Sequence, residues 1–401
     1  MKQTIKFRLN PNFEQEKHLH NLCSIATKLY NTDNWQRREA WDKTGKIPNV
    51  YNQIKSLNLA KNQWYKLLPV HTAQDVCFVL QQNYNSWFKL RKKDDKANPP
   101  MFRKREMLSP ITLYEFKILS NKIRLPISRK YREEHKIKLM EIEFSDWKVQ
   151  EGKAKMCQIL FDKGKWYAHI VYEIAEQSSI LNDKVMAVDL GIINTTVATD
   201  SDGNAKIYSG KQILAMQHYF NKEKAKLTSI LTKQYPKRHQ SRALRILQDK
   251  QTRQINQALH THSKAIVSDC QSKGIKTLVI GDVTDIRKDK DFGKKTNQKL
   301  HSWSFSKFTQ QLEYKCMKVG IRFVRVNEAY SSQTCSHCGQ IRKANRKHRG
   351  YYVCKACGYK VNADVNGSVN ILKKYLRDFL SRSIGVLATP SVKRIENVCP
   401  Y

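Results

Sequence analysis

Four cysteines in the last third of the chain have the spacing of a zinc site. Cys335 and Cys338 form one Cys-x-x-Cys pair, and Cys354 and Cys357 form a second pair after fifteen intervening residues. Two such pairs supply the four thiolates that close a tetrahedron around a structural Zn²⁺ ion. A glycine follows each pair and permits the tight turn that directs backbone N–H groups at the sulfur atoms. The sequence therefore predicts a zinc ribbon, with a redox dithiol or a pair of disulfides as the alternative.

Two aspartates occupy positions that suit the chemistry of a cation site. Asp189 interrupts the otherwise apolar run Val185–Leu190, where a charge is costly unless it is paired or functional. Asp364 lies in the segment Asn362–Asn366, directly before a helical pattern. The alternative for Asp189 is a cap on a turn at the strand end, and the alternative for Asp364 is a helix N-cap. Both residues are candidate metal ligands.

The elements after residue 184 predict the fold that would bring such acids together. Apolar runs, turn signals and helical spacing give three antiparallel strands, two helices, a strand, a helix, a strand and a final helix. The predicted bounds are 185–190, 195–199 and 206–208 for the meander, then helices on both sides of Pro236, then 277–280, 303–318, 321–327 and 365–380. This is the order of an RNase H-like domain. Such a domain groups three acids to hold two Mg²⁺ ions about 4 Å apart for in-line attack of water on a phosphodiester.

The first 180 residues predict strands around a helical block. Residues 4–9 form a strand, helices occupy much of 11–100, and β pattern returns from 101 to 180. A hairpin is predicted at 156–174, with its turn at Asp162–Lys165. We expect the first strand to join this later sheet, which makes the helical block an insertion. The aromatic residues of that block beside a basic run could stack bases, but their helical spacing favours a core role.

Composition indicates the class of partner. The chain has 401 residues with 73 Lys and Arg against 35 Asp and Glu, a formal charge of +38 spread along its length. A folded protein with this charge needs a polyanion, and nucleic acid is the first candidate. No apolar run approaches the ~18 residues that span a bilayer, so no membrane partner is expected. The first residues alternate like a strand and do not resemble a signal peptide, and the cysteine pattern favours a reducing compartment.

Five segments of the chain have specific motifs: Val188–Gly191, Tyr330–Gly339, Tyr352–Gly358, Asn362–Asn366 and Asn370–Leu372. Together they resemble the TnpB family, the transposon-associated RNA-guided nucleases related to Fanzor proteins and type V CRISPR effectors. The resemblance is specific over about residues 184–375, and the N-terminal half is similar in element order only.

The resemblance implies a multidomain α+β and α/β fold. It combines a β-barrel-like wedge domain, which carries an inserted helical recognition domain, with an RNase H-like RuvC domain that carries a zinc-ribbon insert. The implied ranges are 1–10 plus 101–180 for the wedge, 11–100 for the recognition domain, 181–334 plus 358–380 for the RuvC-like domain, 335–357 for the insert that binds target nucleic acid, and 381–401 for a C-terminal tail.

The function implied by the family is RNA-guided cleavage of double-stranded DNA. A monomeric ribonucleoprotein with a guide RNA from the transposon end would find DNA beside a short target-adjacent motif and hydrolyse it with Mg²⁺. It would work in the cytoplasm or nucleoid of a prokaryote, or in a eukaryotic nucleus.

The chain departs from the family pattern at the second acid. Gly281 stands where the usual TnpB fourth strand carries a metal-binding glutamate, and the adjacent Asp282 has the parity of the opposite face. Asp285 has the right parity but lies beyond the strand. Glu328, at the end of the fifth strand, is the preferred replacement, because the missing side chain at Gly281 leaves it room. The predicted catalytic set is therefore Asp189, Glu328 and Asp364, holding Mg²⁺.

Two functions follow from this reading. The first is the active endonuclease, and the second is a nuclease-inactive RNA-guided DNA-binding protein such as a transcriptional repressor, motivated by Gly281. The two retained aspartates weigh against the repressor. A zinc-containing transposase that works without RNA is the weakest class, since no motif of a tyrosine or HUH-type transposase is present.

Overall fold

The structure is a computed structural model that describes residues 2–145, 152–175, 183–283, 303–348, 350–380 and 391–395, with residues 291, 293 and 297–298. The chain divides into two compact units, Met1–Ala175 and Glu176–Tyr401. Among the described residues, none of the helices combines the length and apolar character that crossing a membrane requires.

Unit 1 contains seven antiparallel strands in the order β2-β6-β7-β1-β5-β4-β3. The first strand pairs with the later strands β5 and β7, as the sequence predicts. The hairpin β6–β7 turns at Lys163 and Gly164, both with positive φ, which suits a two-residue turn. The strands are β1 (Lys2–Asn10), β2 (Ile111–Leu113), β3 (Lys117–Leu119), β4 (Lys122–Arg124), β5 (Glu141–Phe144), β6 (Lys153–Asp162) and β7 (Lys165–Glu173).

The helices of unit 1 lie between β1 and β2, with one short helix between β4 and β5. A capping box between Asn12 and Gln15 begins the first helix, and Gly45 at φ +67° ends it. Tyr65, Tyr84 and Trp87 are buried in one core that the helices share with the sheet, so these aromatic residues have the core role. The helices are α1 (Phe13–Thr44), α2 (Val50–Leu59), α3 (Gln63–Leu67), α4 (Val70–Arg91) and α5 (Arg129–His135).

Unit 2 is built on a mixed six-stranded sheet in the order β12-β11-β8-β9-β10-β16. Strands β8, β9 and β10 form the predicted antiparallel meander, and β11 and β12 run parallel to β8 on its other side. Strand β8 is therefore central and hydrogen-bonded on both edges. The strands are β8 (Val185–Leu190), β9 (Asn194–Asp200), β10 (Asn204–Ser209), β11 (Thr277–Asp282), β12 (Arg322–Asn327) and β16 (Ser391–Ile395).

The alternation of side chains along β8 gives this sheet two different faces. Met186 and Val188 belong to a core that includes residues of the long helices, whereas Val185 and Ala187 pack with the final helix. Asp189 has the parity of the second set. The helices of unit 2 are α6 (Lys211–Gln234), α7 (Arg242–Ser272), α8 (Phe305–Lys318) and α9 (Ala363–Leu380).

The elements of unit 2 follow the chain in the predicted order, with small shifts in their bounds. Within the predicted C-terminal tail, Ser391–Ile395 forms β16 and pairs in parallel with β10. The tail residues 381–390 and 396–401 lie outside the described residues, and so does Asp285.

Burial of one histidine makes the stability of unit 2 depend on pH. His262 of α7 is 1% exposed, and burial lowers its pKa to about 4. Its Nδ1 lies 3.0 Å from Thr195 Oγ1, whose hydroxyl donates to the Tyr208 carbonyl at 3.0 Å. The Nδ1 atom therefore carries the hydrogen of the neutral ring.

Because the folded pKa lies below the unfolded value of about 6.5, protonation favours the unfolded chain. Neutral His262 contributes roughly 3 kcal/mol to the free energy of unfolding. This contribution is fully present above pH 6.5 and is lost as the pH falls from there through about 4. Urea unfolding from pH 8 to 4 should show a smaller loss in His262→Gln than in wild type. Parallel pH profiles for the two proteins would contradict this assignment.

Candidate functional site

The face of the central sheet that packs on α9 collects the three predicted acids. Asp189 follows Val185 and Ala187 on this face of β8. Glu328 follows β12 with the parity of Val324 and Val326, which also pack with the α9 side. Asp364 lies in the first turn of α9. Alternation along two strands and the start of one helix therefore bring the three carboxylates to the same cleft, which measures about 260 Å³.

Gly281 leaves the space that the Glu328 carboxylate occupies. Ile280 pairs with Val188, so the register continues with Gly281 beside Asp189. A Cβ atom added at Gly281 would lie 2.6 Å from Glu328 Oε2 and 3.2 Å from Glu328 Cβ. The first separation is too short for non-bonded atoms and the second is tight, so a side chain at residue 281 would require the Glu328 carboxylate to move. The glutamate thus reaches across from the end of the neighbouring strand to the position level with Asp189.

Asp282, the alternative acid on β11, has the opposite parity. It lines a separate cleft together with Phe305 and Thr309 of α8. This placement agrees with the expectation that successive strand residues face opposite sides.

Asp364 does not serve as the N-cap of α9. Asn362 Oδ1 accepts from the backbone N–H groups of Asp364 at 2.9 Å and Val365 at 3.3 Å, so the asparagine caps the helix. The Asp364 carboxylate instead accepts from Asn194 Nδ2 at 2.8 Å and from Arg346 Nη2 at 3.0 Å. Its two oxygens are thereby oriented toward the cleft.

A glycine of α9 lets the helix approach Asp189 closely. A Cβ added at Gly367 would lie 2.6 Å from Asp189 Oδ2 and 3.3 Å from Asp189 Cγ. Glycine in a helix interior costs about 1 kcal/mol relative to alanine, so its presence here has a steric reason. A side chain at residue 367 would require the Asp189 carboxylate or the helix to shift, so the glycine favours the position of Asp364 beside Asp189.

The three carboxylates repel one another. Burial raises the pKa of Asp189 well above its usual range, and the charges of Asp364 and Glu328 raise it further. The Arg346 guanidinium acts in the opposite direction and lowers it. Such a site is expected to gain stability from a bound cation, and carboxylate oxygens are the ligands that Mg²⁺ prefers.

Side chains of α9 fix the segment that carries Glu328. Asn370 Nδ2 donates to the carbonyls of Ser331 and Thr334, both at 2.7 Å. Lys374 Nζ donates to the Asn327 carbonyl at 2.8 Å. These bonds to backbone groups hold the strand end and the following turn against the helix.

The four cysteines form one cluster. Their sulfur atoms all lie within 4.8 Å of one another, with Cys335 and Cys357 3.8 Å apart and Cys338 and Cys354 3.6 Å apart. A Zn–S bond of about 2.3 Å requires sulfur atoms about 3.8 Å apart at the corners of a tetrahedron. The donor set and its dimensions therefore fit Zn²⁺.

The two cysteine turns have the same backbone geometry. Gly339 and Gly358 have φ of +78° and +71°, and each donates its N–H to the carbonyl of the first cysteine of its pair. Burial acts to raise the pKa of Cys354, but N–H groups of Cys357 and Ala356 donate to its sulfur and the net pKa is about 7. Cys354 is thus the thiol of the cluster whose pKa is lowered, whereas burial raises the pKa of Cys335 to about 12.

The four-cysteine cluster lies in a small ribbon that short connections join to the acid cleft. The strands β13 (Arg346–His348), β14 (Tyr351–Val353) and β15 (Lys360–Val361) form its small sheet. Ser336 N–H donates to Asn366 Oδ1 of α9 at 2.9 Å. Arg346 of β13 reaches Asp364, so one side chain of the ribbon lies in the cleft itself.

Three residues that shape the site were missed by the sequence reasoning: Arg346 and Asn194, which line the cleft, and Gly367, which packs against Asp189. Arg346 was one of many basic residues in the cysteine loop, and no spacing separates it from its neighbours. Asn194 is an ordinary polar residue at the start of β9. Gly367 did carry a signal, since a glycine inside a helix indicates a close approach.

Zinc content tests the cysteine cluster. Wild-type protein purified without chelator should hold one zinc per chain, and Cys354→Ala should lose it together with a large part of the stability that metal binding supplies. Cys316→Ala, which removes a buried thiol of the sheet core, is the matched control and should retain the metal. Metal analysis and thermal unfolding measure both effects. Full zinc occupancy in Cys354→Ala would contradict the assignment.

Two family models match the chain. A model described as a probable transposase, OrfB_IS605, matches residues 169–287, and one described as a Cas12f1-like TNB domain matches residues 305–371. The first covers β8 to β11 and the second covers Glu328, the four cysteines and Asp364.

Curated relatives agree with these matches. The chain is 25% identical to TnpB-like protein ORF457 of Acidianus two-tailed virus, over 92% of this chain and 85% of the relative. It is 25% identical to the putative RNA-guided DNA endonuclease InsQ of Escherichia coli K12, over 92% and 91%. It is 27% identical to the CRISPR-associated endodeoxyribonuclease Cas12f1 of Sulfoacidibacillus thermotolerans, over 58% and 56%.

A solved structure has the same fold. The protein in a cryo-EM structure of a Cas12f1–sgRNA–target DNA complex superposes with a TM-score of 0.64 at 15% identity, covering 92% of this chain and 98% of the other. The predicted resemblance is confirmed: the chain is similar in sequence to TnpB-like proteins and to Cas12f1, and similar in fold to Cas12f1.

Proposed function

We propose that this protein is an RNA-guided DNA endonuclease that hydrolyses target DNA with Mg²⁺ beside a short target-adjacent motif. The observation that carries the proposal is the Glu328 carboxylate over Gly281, level with Asp189. Glu328 supplies the third acid at the position where strand β11 itself has a glycine. InsQ is named as a putative RNA-guided DNA endonuclease and Cas12f1 as a CRISPR-associated endodeoxyribonuclease. Their similarity to this chain supports the same activity here.

The acids fit a pair of hard cations. All three acids line one cleft: Asp189 from β8, Glu328 from the end of β12 and Asp364 from the first turn of α9. Bound there, two Mg²⁺ ions would supply the nucleophilic water and neutralise charge on the phosphodiester. The repulsion that raises the pKa of Asp189 would be relieved by the same ions.

The remaining residues orient this set. Asn194 donates to one oxygen of Asp364 and fixes its direction. The Arg346 guanidinium bonds to Asp364 and balances part of the negative charge of the acids. In the complex with DNA, the same guanidinium would contact the scissile phosphate. Gly367 keeps Asp189 beside the helix.

Charge supports the nucleic-acid partners. The formal charge of +38 suits a guide RNA and double-stranded target DNA, with base pairing reading the sequence. We assign target binding to the zinc ribbon, whose loop carries Arg342, Lys343 and Lys347 beside Arg346. The wedge, recognition and RuvC-like boundaries given by the resemblance, and a monomeric ribonucleoprotein, belong to the same proposal.

The alternative is an RNA-guided DNA-binding repressor without nuclease activity. Gly281 is the observation that favours it, because the usual acid is missing there. The placement of Glu328 in that space argues for a relocated ligand, and a decayed site would not need to keep three mutually repelling acids together.

Replacing Glu328 separates the two functions. Glu328→Gln should lower Mg²⁺-dependent plasmid cleavage by the purified ribonucleoprotein by at least roughly 100-fold, since it removes one metal ligand. Its thermal midpoint without divalent cations should equal or exceed that of wild type, because one repelling charge is gone. Glu313→Gln, a half-exposed glutamate on α8, is the control and should cut normally.

Moving the acid back tests the relocation directly. The double variant Gly281→Glu, Glu328→Gly restores a carboxylate on β11 and removes the side chain that fills its space. It should cut faster than Glu328→Gly alone. Cleavage by Glu328→Gln at the wild-type rate would contradict the assignment of Glu328 as the third metal ligand. Guide-dependent DNA binding by wild type without any cleavage would favour the repressor.

A further inference from the structure

One buried asparagine of α9 bonds to the backbone on both sides of the first cysteine. Asn366 is 0% exposed, and its Oδ1 accepts from the Ser336 N–H at 2.9 Å. Its Nδ2 donates to the Thr334 carbonyl at 2.8 Å. Thr334 and Ser336 are the chain neighbours of Cys335, which is itself buried. A single side-chain amide thus fixes the backbone before and after the first cysteine of the cluster.

The two bonds of Asn366 depend on its amide group. One partner is a backbone donor and the other is a backbone acceptor, and an amide offers an acceptor and a donor side by side. An aspartate at this position would have no donor for the Thr334 carbonyl. An alanine would leave the buried Ser336 N–H without this partner, which is costly for a backbone group that water does not reach.

Asn366 belongs to a row of polar side chains along α9. Asn370 and Lys373 follow it four and seven residues later, so the three side chains lie on one face of the helix. All three bond to backbone groups of the segment Ser331–Ser336. The same helix carries Asp364 in its first turn, where the carboxylate lines the acid cleft. One helix therefore joins the first cysteine turn to the acids.

The chain beside this row has a candidate metal ligand at each end. Glu328 lines the acid cleft, and Cys335, seven residues later, belongs to the cysteine cluster. With a cation in the cleft, Glu328 would be tied to Asp364 of α9. With zinc in the cluster, Cys335 would be tied to the other three cysteines. Both events order the same short stretch of chain against the same helix, so the second ion to bind finds part of the ordering already done.

We propose that Asn366 is a positioning residue that couples the two metal sites, so that zinc on the cysteines tightens Mg²⁺ binding by the acids and Mg²⁺ on the acids tightens zinc binding by the cysteines. The two effects are equal, because coupling between binding sites is reciprocal. Such coupling changes an affinity by about 5- to 150-fold, and we expect roughly tenfold here. The inference rests on the proposed nuclease function for the identity of the cation in the cleft.

Zinc affinity measured with and without Mg²⁺ tests the coupling without DNA cleavage. Full-length protein, with the RNA that it retains, is equilibrated with a chromogenic chelator that binds zinc but not Mg²⁺. Saturating Mg²⁺ should raise the zinc affinity of wild type roughly tenfold. In Glu328→Gln, which lacks one cleft ligand, the rise should be less than about twofold, and this variant controls for Mg²⁺ bound to RNA. A wild-type zinc affinity that does not respond to Mg²⁺ would overturn the proposal.

Substitution of Asn366 separates coupling from a structural role. Asn366→Ala should lower the zinc affinity and abolish its dependence on Mg²⁺. Ser368→Ala is the matched control, because it removes another buried polar group of α9, one that contacts Thr199 of β9 and not the cysteine turn. This control should unfold at a lower temperature than wild type but keep the tenfold effect of Mg²⁺. A tenfold effect that survives in Asn366→Ala would refute the role of the amide.

Hydrogen exchange of wild type repeats the test without a variant that must fold. In the zinc-loaded protein, Mg²⁺ should slow exchange in the peptide that contains the Ser336 N–H, because the segment before it is then tied to α9. Removal of zinc should speed exchange in the first half of α9. Exchange in the first cysteine turn that is the same with and without Mg²⁺ would contradict the coupling.

The results for the coupling and for the nuclease function are separate. A protein that cuts DNA with Mg²⁺, but whose zinc affinity does not depend on Mg²⁺, would refute the coupling and leave the nuclease function in place. A protein that shows the tenfold coupling but cuts no DNA would refute the nuclease function and support the coupling.

Discussion

Mutual repulsion of three carboxylates is the constraint on which the C-terminal unit depends. A fold that brings Asp189, Glu328 and Asp364 together must hold them by other interactions, because the acids themselves oppose the arrangement. Strand β8 contributes the first acid from the centre of a sheet that is hydrogen-bonded on both edges. Helix α9 contributes the second acid and, through Asn370 and Lys374, fixes the turn that follows the third. Packing on both faces of the sheet supplies the stability that offsets the repulsion among the three acids.

The cysteine cluster and α9 constrain the same short segment of chain. The segment from Asn327 to Ser336 is bonded to α9 at several carbonyls and continues directly into the first cysteine turn. An acid that lies on a strand needs no such support, since the strand is already fixed by its ladder. Glu328 lies just beyond β12, and its position therefore depends on side chains that bond to backbone groups and on the cysteine turn that follows.

Sequence reasoning found the residues whose types are costly or whose spacing is specific. Asp189 was visible because a charge interrupts an apolar strand, and the cysteines because two short pairs recur at ribbon spacing. Glu328 needed strand parity together with the family resemblance. Arg346 and Asn194 were not visible, because their roles depend on which backbone segments the fold brings beside Asp364. The cap at Asn362 also escaped notice, although asparagine two residues before Asp364 was a usable sign.

The close approach at Gly367 has a consequence for the order in which the protein is made. Asp189 is synthesised early, but its partner acid, the glycine that admits it and the clamp on residue 328 all lie on the helix Ala363–Leu380. A nascent chain that has not yet released this helix from the ribosome has one acid in a sheet and another on an unsupported strand end. The three acids thus come together only at a late step of synthesis, after the cysteine ribbon has emerged. Translation products that end before α9 lack Asp364 and cannot assemble the acid cleft.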